Sequence, residues 1–142
     1  EEDVRTRRPI LKNMDPVNLD RPARSFPKLR IVIAHLGTGF WRLQAAEMIK
    51  MHPNVYADLA GNGSWQGLSP ERLAELLRPA VLLCENNTKF FFKLVFGSDC
   101  YVKYPEIQDR AKLHYEQILS KVSSSKELRD AVMGGTVSSW FR

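Results

Sequence analysis

Three short apolar segments, each followed by a loop and then by a helical pattern, constrain the fold of this chain most strongly. They are "RIVIAH" at residues 30–35, "NVYADL" at residues 54–59 and "KLVFG" at residues 93–97. Continuous apolar runs rich in β-branched residues are typical of strands covered on both faces, and their alternation with helices is typical of parallel βαβ units. The sequence therefore predicts an α/β fold built on parallel strands.

Helical patterns fill the intervals between these segments. The first covers residues 40–51, where apolar residues recur at helical spacing. In the second interval, Ser69 is placed to cap a helix with Pro70 at its first position. We expect that helix to continue past Pro79 and to end before a turn at Asn86.

Two more helices are predicted after the third segment. Pro105 opens a helix whose apolar stripe includes His114, which we interpret as a packed histidine and not as a ligand. Ser124 and Glu127 have the spacing of a capping box for a last helix, which we expect to end at the glycine pair 134–135.

The composition fits one soluble domain and excludes several partners. The chain has 142 residues, of which 44% are hydrophobic and 26% charged, and no apolar run approaches the roughly 20 residues of a membrane span. Its net charge of +5 is spread along the chain without a dense basic run. Cys84 and Cys100 have neither disulfide-framework nor zinc spacing and are expected to be reduced. We therefore expect a cytoplasmic protein without a membrane or nucleic-acid partner.

His35 and Asp99 are the candidate site residues, because ligands of parallel sheets bind outside the carboxyl ends of the strands. His35 ends the first predicted strand, and Asp99 follows the third, where a carboxylate at a buried strand end is costly without a positive partner. Both residues could be structural, both could bind zinc, manganese or iron(II), or the pair could act as acid and base without a metal. Their placement on one rim favours the metal.

The sequence gives no sign of a nucleotide cofactor. Gly37-Thr38-Gly39 is not a GxGxxG fingerprint, and we expect no acidic residue at the end of the strand 54–59, where a ribose would need one. HExxH, GxSxG and P-loop motifs are also absent from the sequence. We therefore predict no cofactor-binding residues of these kinds.

Four segments together carry a resemblance to a known family. They are "FPKLRIVIAHLGTGFW", "HPNVYADLAG", "KLVFGSD" and "LRDAVMGGTVSSWF". In this order they resemble the C-terminal part of the amidohydrolase superfamily, and more closely the branch that contains aminocarboxymuconate-semialdehyde decarboxylase. The resemblance covers most of residues 26–142.

The resemblance implies a partial TIM (β/α)8 barrel, with the three strands as the sixth, seventh and eighth and helices at the C-terminus. Residues 1–142 would form the C-terminal portion of a single domain, with residues 1–28 as a loop and short helix before the first strand. A complete barrel takes about 250 residues. About five strands, including the family's first-strand HxH pair and fifth-strand histidine, would then lie upstream.

The resemblance also assigns roles. Asp99 matches the eighth-strand aspartate, which ligates the metal and helps to deprotonate the attacking water. His35 matches the sixth-strand histidine, which contacts water or substrate in mononuclear members and ligates a metal in binuclear ones. This implies a hydrolase acting on C–N or C–O bonds of a small molecule with a divalent metal, zinc first, and manganese or iron as alternatives. The isolated chain is expected to be inactive.

Alternatives and departures accompany the resemblance. The alternatives are a non-oxidative decarboxylase of the same family, a non-catalytic remnant or interaction module and, in third place, a nucleic-acid-binding module with "RTRRPILK" at residues 5–12 as a basic arm. The resemblance also implies that a homodimer is possible. Cys100-Tyr101 stands where many relatives have an aromatic residue and proline, which predicts a changed pocket wall. Thr136 stands where the family usually has asparagine, which predicts looser packing at the foot of the barrel.

Overall fold

A parallel sheet of three strands organises the part of the chain that the structure describes. The computed structural model describes residues 10–61, 68–85, 92–99 and 105–142. The sheet has the order β1-β2-β3, with strands β1 (Ile31–Ile33), β2 (Val55–Asp58) and β3 (Leu94–Val95). The predicted mixed α/β fold with parallel strands is confirmed. Each strand is shorter than predicted: a 3-10 turn begins at Ala34 directly after β1, and residues 96–99 after β3 form no regular structure.

Helices make up most of the remaining described residues. They are α1 (Asp20–Ser25), α2 (Thr38–Met51), α3 (Pro70–Glu85), α4 (Glu106–Val122), α5 (Lys126–Asp130) and the three-residue α6 (Thr136–Ser138). Short 3-10 turns precede and follow them at Leu11–Met14, Pro16–Leu19 and Ser139–Phe141. None of these helices is long and apolar enough to cross a bilayer. The predicted turn at Asn86 and the Cys100-Tyr101 pair lie outside the described residues.

The helix ends confirm one predicted cap and correct another. The hydroxyl of Ser69 accepts a hydrogen bond from the amide of Arg72 at 3.2 Å, as predicted for α3. At α5 the capping residue is Ser125 and not Ser124, since Ser125 Oγ accepts from the amide of Leu128 at 3.3 Å. The α-helical part of α5 ends at Asp130, and a π-type turn continues it until the non-helical backbone of Gly134, with φ 157° and ψ −22°, breaks the helix at the predicted glycine pair.

One face of the sheet forms the core. Val55 and Ala57 of β2 are fully buried against the helical layer, and Tyr56 and Asp58, at the alternate positions, are half-buried on the opposite face. Helices α2, α3 and α4 supply most of the remaining buried side chains. Cys84 on α3 is a buried free thiol, and this burial raises its pKa to about 12. The other cysteine, Cys100, lies outside the described residues, and the reduced state of both stays a prediction.

Polar side chains fasten the amino end of the sheet. The side-chain nitrogen of Asn54, just before β2, lies 3.0–3.1 Å from the carbonyl oxygens of Ala23, Phe26 and Leu29. Asn54 is buried, so these contacts satisfy an amide that would otherwise be costly to bury. The segment between α1 and β1 is thereby tied to β2.

The C-terminal segment covers one edge of the sheet. The amide of Phe96, directly after β3, donates to the carbonyl of Val132 at 2.8 Å. Thr136 is buried, and its hydroxyl donates to the carbonyl of Phe92 at 2.6 Å. The short side chain of Thr136 thus joins the C-terminal segment to the residues just before β3, and the looser packing expected from it stays a prediction.

Candidate functional site at the carboxyl edge of the sheet

A left-handed turn follows β1 and carries His35. The backbone φ is 58° at His35, 47° at Leu36 and 71° at Gly37. The first strand ends at Ile33, so His35 lies in the turn after the strand and not at its last position. Left-handed backbone costs a non-glycine residue roughly 1–2 kcal/mol. This turn must therefore be held by other contacts, and the fully buried Leu36 side chain provides one of them.

Asp58, the last residue of β2, provides another. Its Oδ1 accepts hydrogen bonds from the backbone amides of His35 and Ala60, both at 3.0 Å. One carboxylate oxygen thus joins the turn after β1 to the turn after β2. The expectation that no acidic residue ends the second strand is wrong, because that strand was predicted to run one residue further, to Leu59.

The imidazole of His35 lies beside the same carboxylate. Its Nδ1 is 3.4 Å from Asp58 Oδ1, and the two side chains are 32% and 21% exposed. Nδ1 itself is buried, and the described residues offer it no aligned hydrogen-bond partner. The two groups are therefore close enough for electrostatic interaction without forming a regular hydrogen bond.

His35 and Asp99 converge on Gly61. A Cβ placed on Gly61 would lie 2.6 Å from both Cε1 and Nδ1 of His35 and 2.8 Å from Oδ2 of Asp99. Gly61 also has a positive φ of 54°, which favours glycine. The structure thus brings the two sequence-predicted residues together at one point of the rim, and only a residue without a side chain fits between them.

Asp99 itself lies in an exposed left-handed bend. Its φ is 52°, and β3 has already ended at Val95. The premise that its carboxylate ends a buried strand is therefore wrong, since the side chain is exposed. Aspartate tolerates the left-handed region better than most residues. Its position near His35, and not burial, makes it a candidate for chemistry.

The donors at this rim fit part of a metal site. Imidazole and carboxylate are common ligands of zinc, manganese and iron(II), and Gly61 leaves the space beside them free of a side chain. Within the described ranges, however, no group of three or more His, Cys, Asp or Glu side chains is arranged to hold an ion. These residues of the chain would therefore supply some of the ligands and not a full set.

Asp58 is the functional candidate that sequence reasoning missed. Its signal was the alternation along β2, in which Val55 and Ala57 face the helices and Tyr56 and Asp58 do not. An acidic residue at the end of a strand, on the face away from the helical layer, points to the same rim as His35.

A cleft runs along the outer edge of β1. It has a volume of about 360 Å³ and lies between β1 and the 3-10 turns that precede α1. Most of its lining is apolar, from Met14, Pro16, Leu19, Val32, Ile33 and Ala34. In the described sheet β1 is an edge strand, and the cleft is lined by β1 and by His35 after it, but by no residue of β2 or β3.

A parallel sheet followed by helices, with histidine and aspartate meeting at its carboxyl edge, is the arrangement in which β/α proteins bind ligands. The family model for amidohydrolases matches residues 8–136, and the chain belongs to the amidohydrolase family. No curated protein and no solved structure matches the chain. The family predicted from the four motifs is confirmed, and the decarboxylase-containing branch stays a prediction.

Proposed function

We propose that the chain forms the C-terminal part of a metal-dependent hydrolase that cleaves C–N or C–O bonds of a small molecule. The observation that carries this proposal is the convergence of His35 and Asp99 on Gly61, at the edge of the sheet where β/α enzymes bind their ligands. Membership of the amidohydrolase family supports the general hydrolase chemistry.

Asp99 and His35 have distinct roles in this proposal. The exposed carboxylate of Asp99 would hold the ion and would accept a proton from the attacking water. His35 presents its imidazole to the same space, where it ligates the ion or binds the substrate. A divalent ion, zinc in the first instance, would supply Lewis acidity that polarises the scissile group and activates water.

The missing ligands would come from further strands of a barrel. Catalytic zinc sites usually have three protein ligands, whereas the described part of this rim brings together Asp99 and His35. The edge position of β1 in the described sheet supports the presence of another strand, because an unpaired strand edge with a mostly apolar cleft beside the strand suits a neighbouring β-strand. In this arrangement β1 to β3 are the last three strands of the barrel.

The experiment is the substitution Asp99→Asn in the whole protein. Hydrolysis of a panel of amides, lactones and esters is measured together with bound metal by elemental analysis. We expect a loss of activity of about 10²–10⁴-fold, the usual contribution of a general base, and reduced metal content. Glu116→Gln is the matched control, because this exposed carboxylate lies on α4, in the helical layer.

Three outcomes decide between the candidates. An active, metal-replete Asp99→Asn variant contradicts the assignment of Asp99. Release of CO2 from carboxylated substrates, without hydrolysis, favours the decarboxylase of the same family. A wild-type protein that binds no metal and turns over no substrate favours the non-catalytic alternative.

A further inference from the structure

We propose that Asp58 is the positioning residue of His35: its carboxylate fixes the turn that carries the histidine and holds the imidazole as the Nδ1–H tautomer. Nε2 is then left with a lone pair that is available to bind an ion or to accept a hydrogen bond. The inference deepens the proposed function and rests on it for its catalytic consequence, but the geometry and the tautomer stand independently of that function.

The backbone contact is the first support. His35 and Leu36 adopt left-handed φ values that residues other than glycine rarely adopt. The amide of His35 points at Asp58 Oδ1 with a separation of 3.0 Å, and Ala60 donates to the same oxygen. A carboxylate that accepts from both turns selects this one conformation over the extended alternatives available to His35.

The electrostatics of the side chains are the second support. Nδ1 of His35 is buried 3.4 Å from Asp58 Oδ1. If Nδ1 carried a lone pair, two electron-rich atoms would face each other out of water, where their repulsion is poorly screened. A proton on Nδ1 turns the contact into an attraction, and a small rotation of the ring aligns it as a hydrogen bond. The Nδ1–H tautomer is therefore favoured.

The orientation of the ring is the third support. Cε1 and Nδ1 of His35 are the ring atoms that lie nearest to a Cβ placed on Gly61. The side chain is 32% exposed although Nδ1 is buried, so its accessible atoms are other than Nδ1, and Nε2 is the second nitrogen that the ring offers to a ligand. A histidine whose second nitrogen is held by a carboxylate is the usual arrangement for ligating imidazoles.

The chain contains an internal comparison. His52 forms a second carboxylate–histidine pair, with Nε2 2.9 Å from Asp20 Oδ1. His52 is buried at the amino end of β2, far from the rim, and its pair is structural. In that pair the carboxylate faces Nε2, whereas in the rim pair it faces Nδ1. The two pairs therefore predict opposite tautomers within one protein.

The test is long-range 1H–15N NMR of the metal-free protein, labelled with 15N on histidine, at a pH about two units above the ordinary histidine pKa of about 6.5. The signals of His35 are assigned by their disappearance in His35→Gln. We expect a protonated Nδ1 and an unprotonated Nε2 in the wild type. In Asp58→Asn this preference should be lost, although the amide oxygen still accepts from the backbone.

Asp20→Asn is the matched control, and it should change the signals of His52 while leaving those of His35 in place. A wild-type His35 protonated on Nε2, or a tautomer unaffected by Asp58→Asn, overturns the proposal. Asp58→Ala tests the backbone part, since the amide of His35 should then exchange faster with deuterium; unchanged protection contradicts that part.

The catalytic consequence has its own measurement. In the active protein Asp58→Asn should lower metal affinity or kcat by about 10–100-fold, the usual effect of losing the carboxylate behind a ligating histidine. If the NMR result holds and activity is unaffected, His35 is oriented as proposed but takes no part in the reaction. If the tautomer is wrong while Asp99→Asn abolishes activity, the positioning role fails and the proposed function stands.

Discussion

Tyr115 on α4 donates its hydroxyl hydrogen to the carbonyl oxygen of Leu59, a residue 56 positions earlier that directly follows β2. The tyrosine is fully buried, and its ring lies edge-on to that of Phe96 with centroids 5.6 Å apart. Leu59 stands between Asp58 and Ala60, the residues that tie the two turns of the rim together. The hydroxyl thus links helix α4 to the residues that follow β2 beside the candidate site.

Tyr115→Phe removes this hydrogen bond and keeps the ring. Loss of a partner for a buried acceptor typically costs about 1–3 kcal/mol, so we expect the free energy of unfolding to fall by that amount. Urea titration measures the change. Tyr56→Phe is the control, because the described residues offer the Tyr56 hydroxyl no hydrogen bond while its ring packs on Trp140 in a comparable way. Equal effects of the two substitutions would show that the Leu59 contact contributes nothing.

Gly61→Ala should damage the site more than the fold. The new methyl group would lie 2.6 Å from the His35 ring and 2.8 Å from the Asp99 carboxylate, so both side chains must move. We expect loss of metal binding and activity together with a stability cost of about 1–3 kcal/mol from the strained backbone. Metal titration and thermal unfolding report the two effects separately.

Gly39→Ala provides the comparison for this substitution. Gly39 lies in α2, and no atom stands within 4 Å of a Cβ placed there. Because alanine favours helix over glycine, the variant should be neutral or more stable by up to about 1 kcal/mol. A Gly61→Ala protein that binds metal like the Gly39→Ala protein would contradict the geometry of the rim.

The sheet and the meeting of His35 with Asp99 followed from local patterns. Apolar β-branched runs fix the strands, and parallel strands bring their carboxyl ends to one edge. A residue that follows one strand is therefore expected to lie near the residues that follow the neighbouring strands. This is why two residues 64 positions apart could be paired from the sequence. The family was predicted from the four longer segments taken together, and not from any one apolar or helical pattern.

The turn at His35 and the role of Asp58 could not be predicted in this way. Left-handed backbone at a histidine and a leucine violates local preference, and it is imposed by the burial of Leu36 and by the carboxylate of Asp58. Both causes are tertiary contacts, which local sequence patterns do not show. The same limit applies to the cap of α5, where Ser124 and Ser125 offer the same hydroxyl and only packing selects between them.

Lys93→Met tests the hydrogen bonds that the buried side chain of Lys93 makes directly before β3. The buried ammonium of Lys93 donates to the carbonyl oxygens of Ile49, at 2.8 Å, and of His52. Methionine fills a similar volume and leaves these carbonyls without that donor, which should lower the free energy of unfolding by about 1–3 kcal/mol. Lys112→Met, at an exposed position of α4, should change stability by less than about 0.5 kcal/mol. Chemical denaturation compares the two, and a Lys93→Met protein as stable as the control would contradict the prediction.

His114 should make folding sensitive to mild acid. Burial lowers its pKa below the ordinary value of 6.5, an effect that the charge of Glu71 only partly offsets. The unfolded chain therefore takes up a proton near pH 6.5, whereas the folded chain does so only at lower pH. The stability that the neutral imidazole contributes is complete above pH 6.5 and is lost as the pH falls from there through the folded pKa.

Unfolding free energies of the wild type and of His114→Gln, measured from about pH 8 down to about pH 5, check this prediction. Both proteins keep His35 and His52, so the difference between the two curves isolates His114. The wild type should lose more stability than the variant below about pH 6.5 and the curves should run parallel above it. Curves that stay parallel through the acid range would show that His114 is protonated as readily in the folded chain as in the unfolded one.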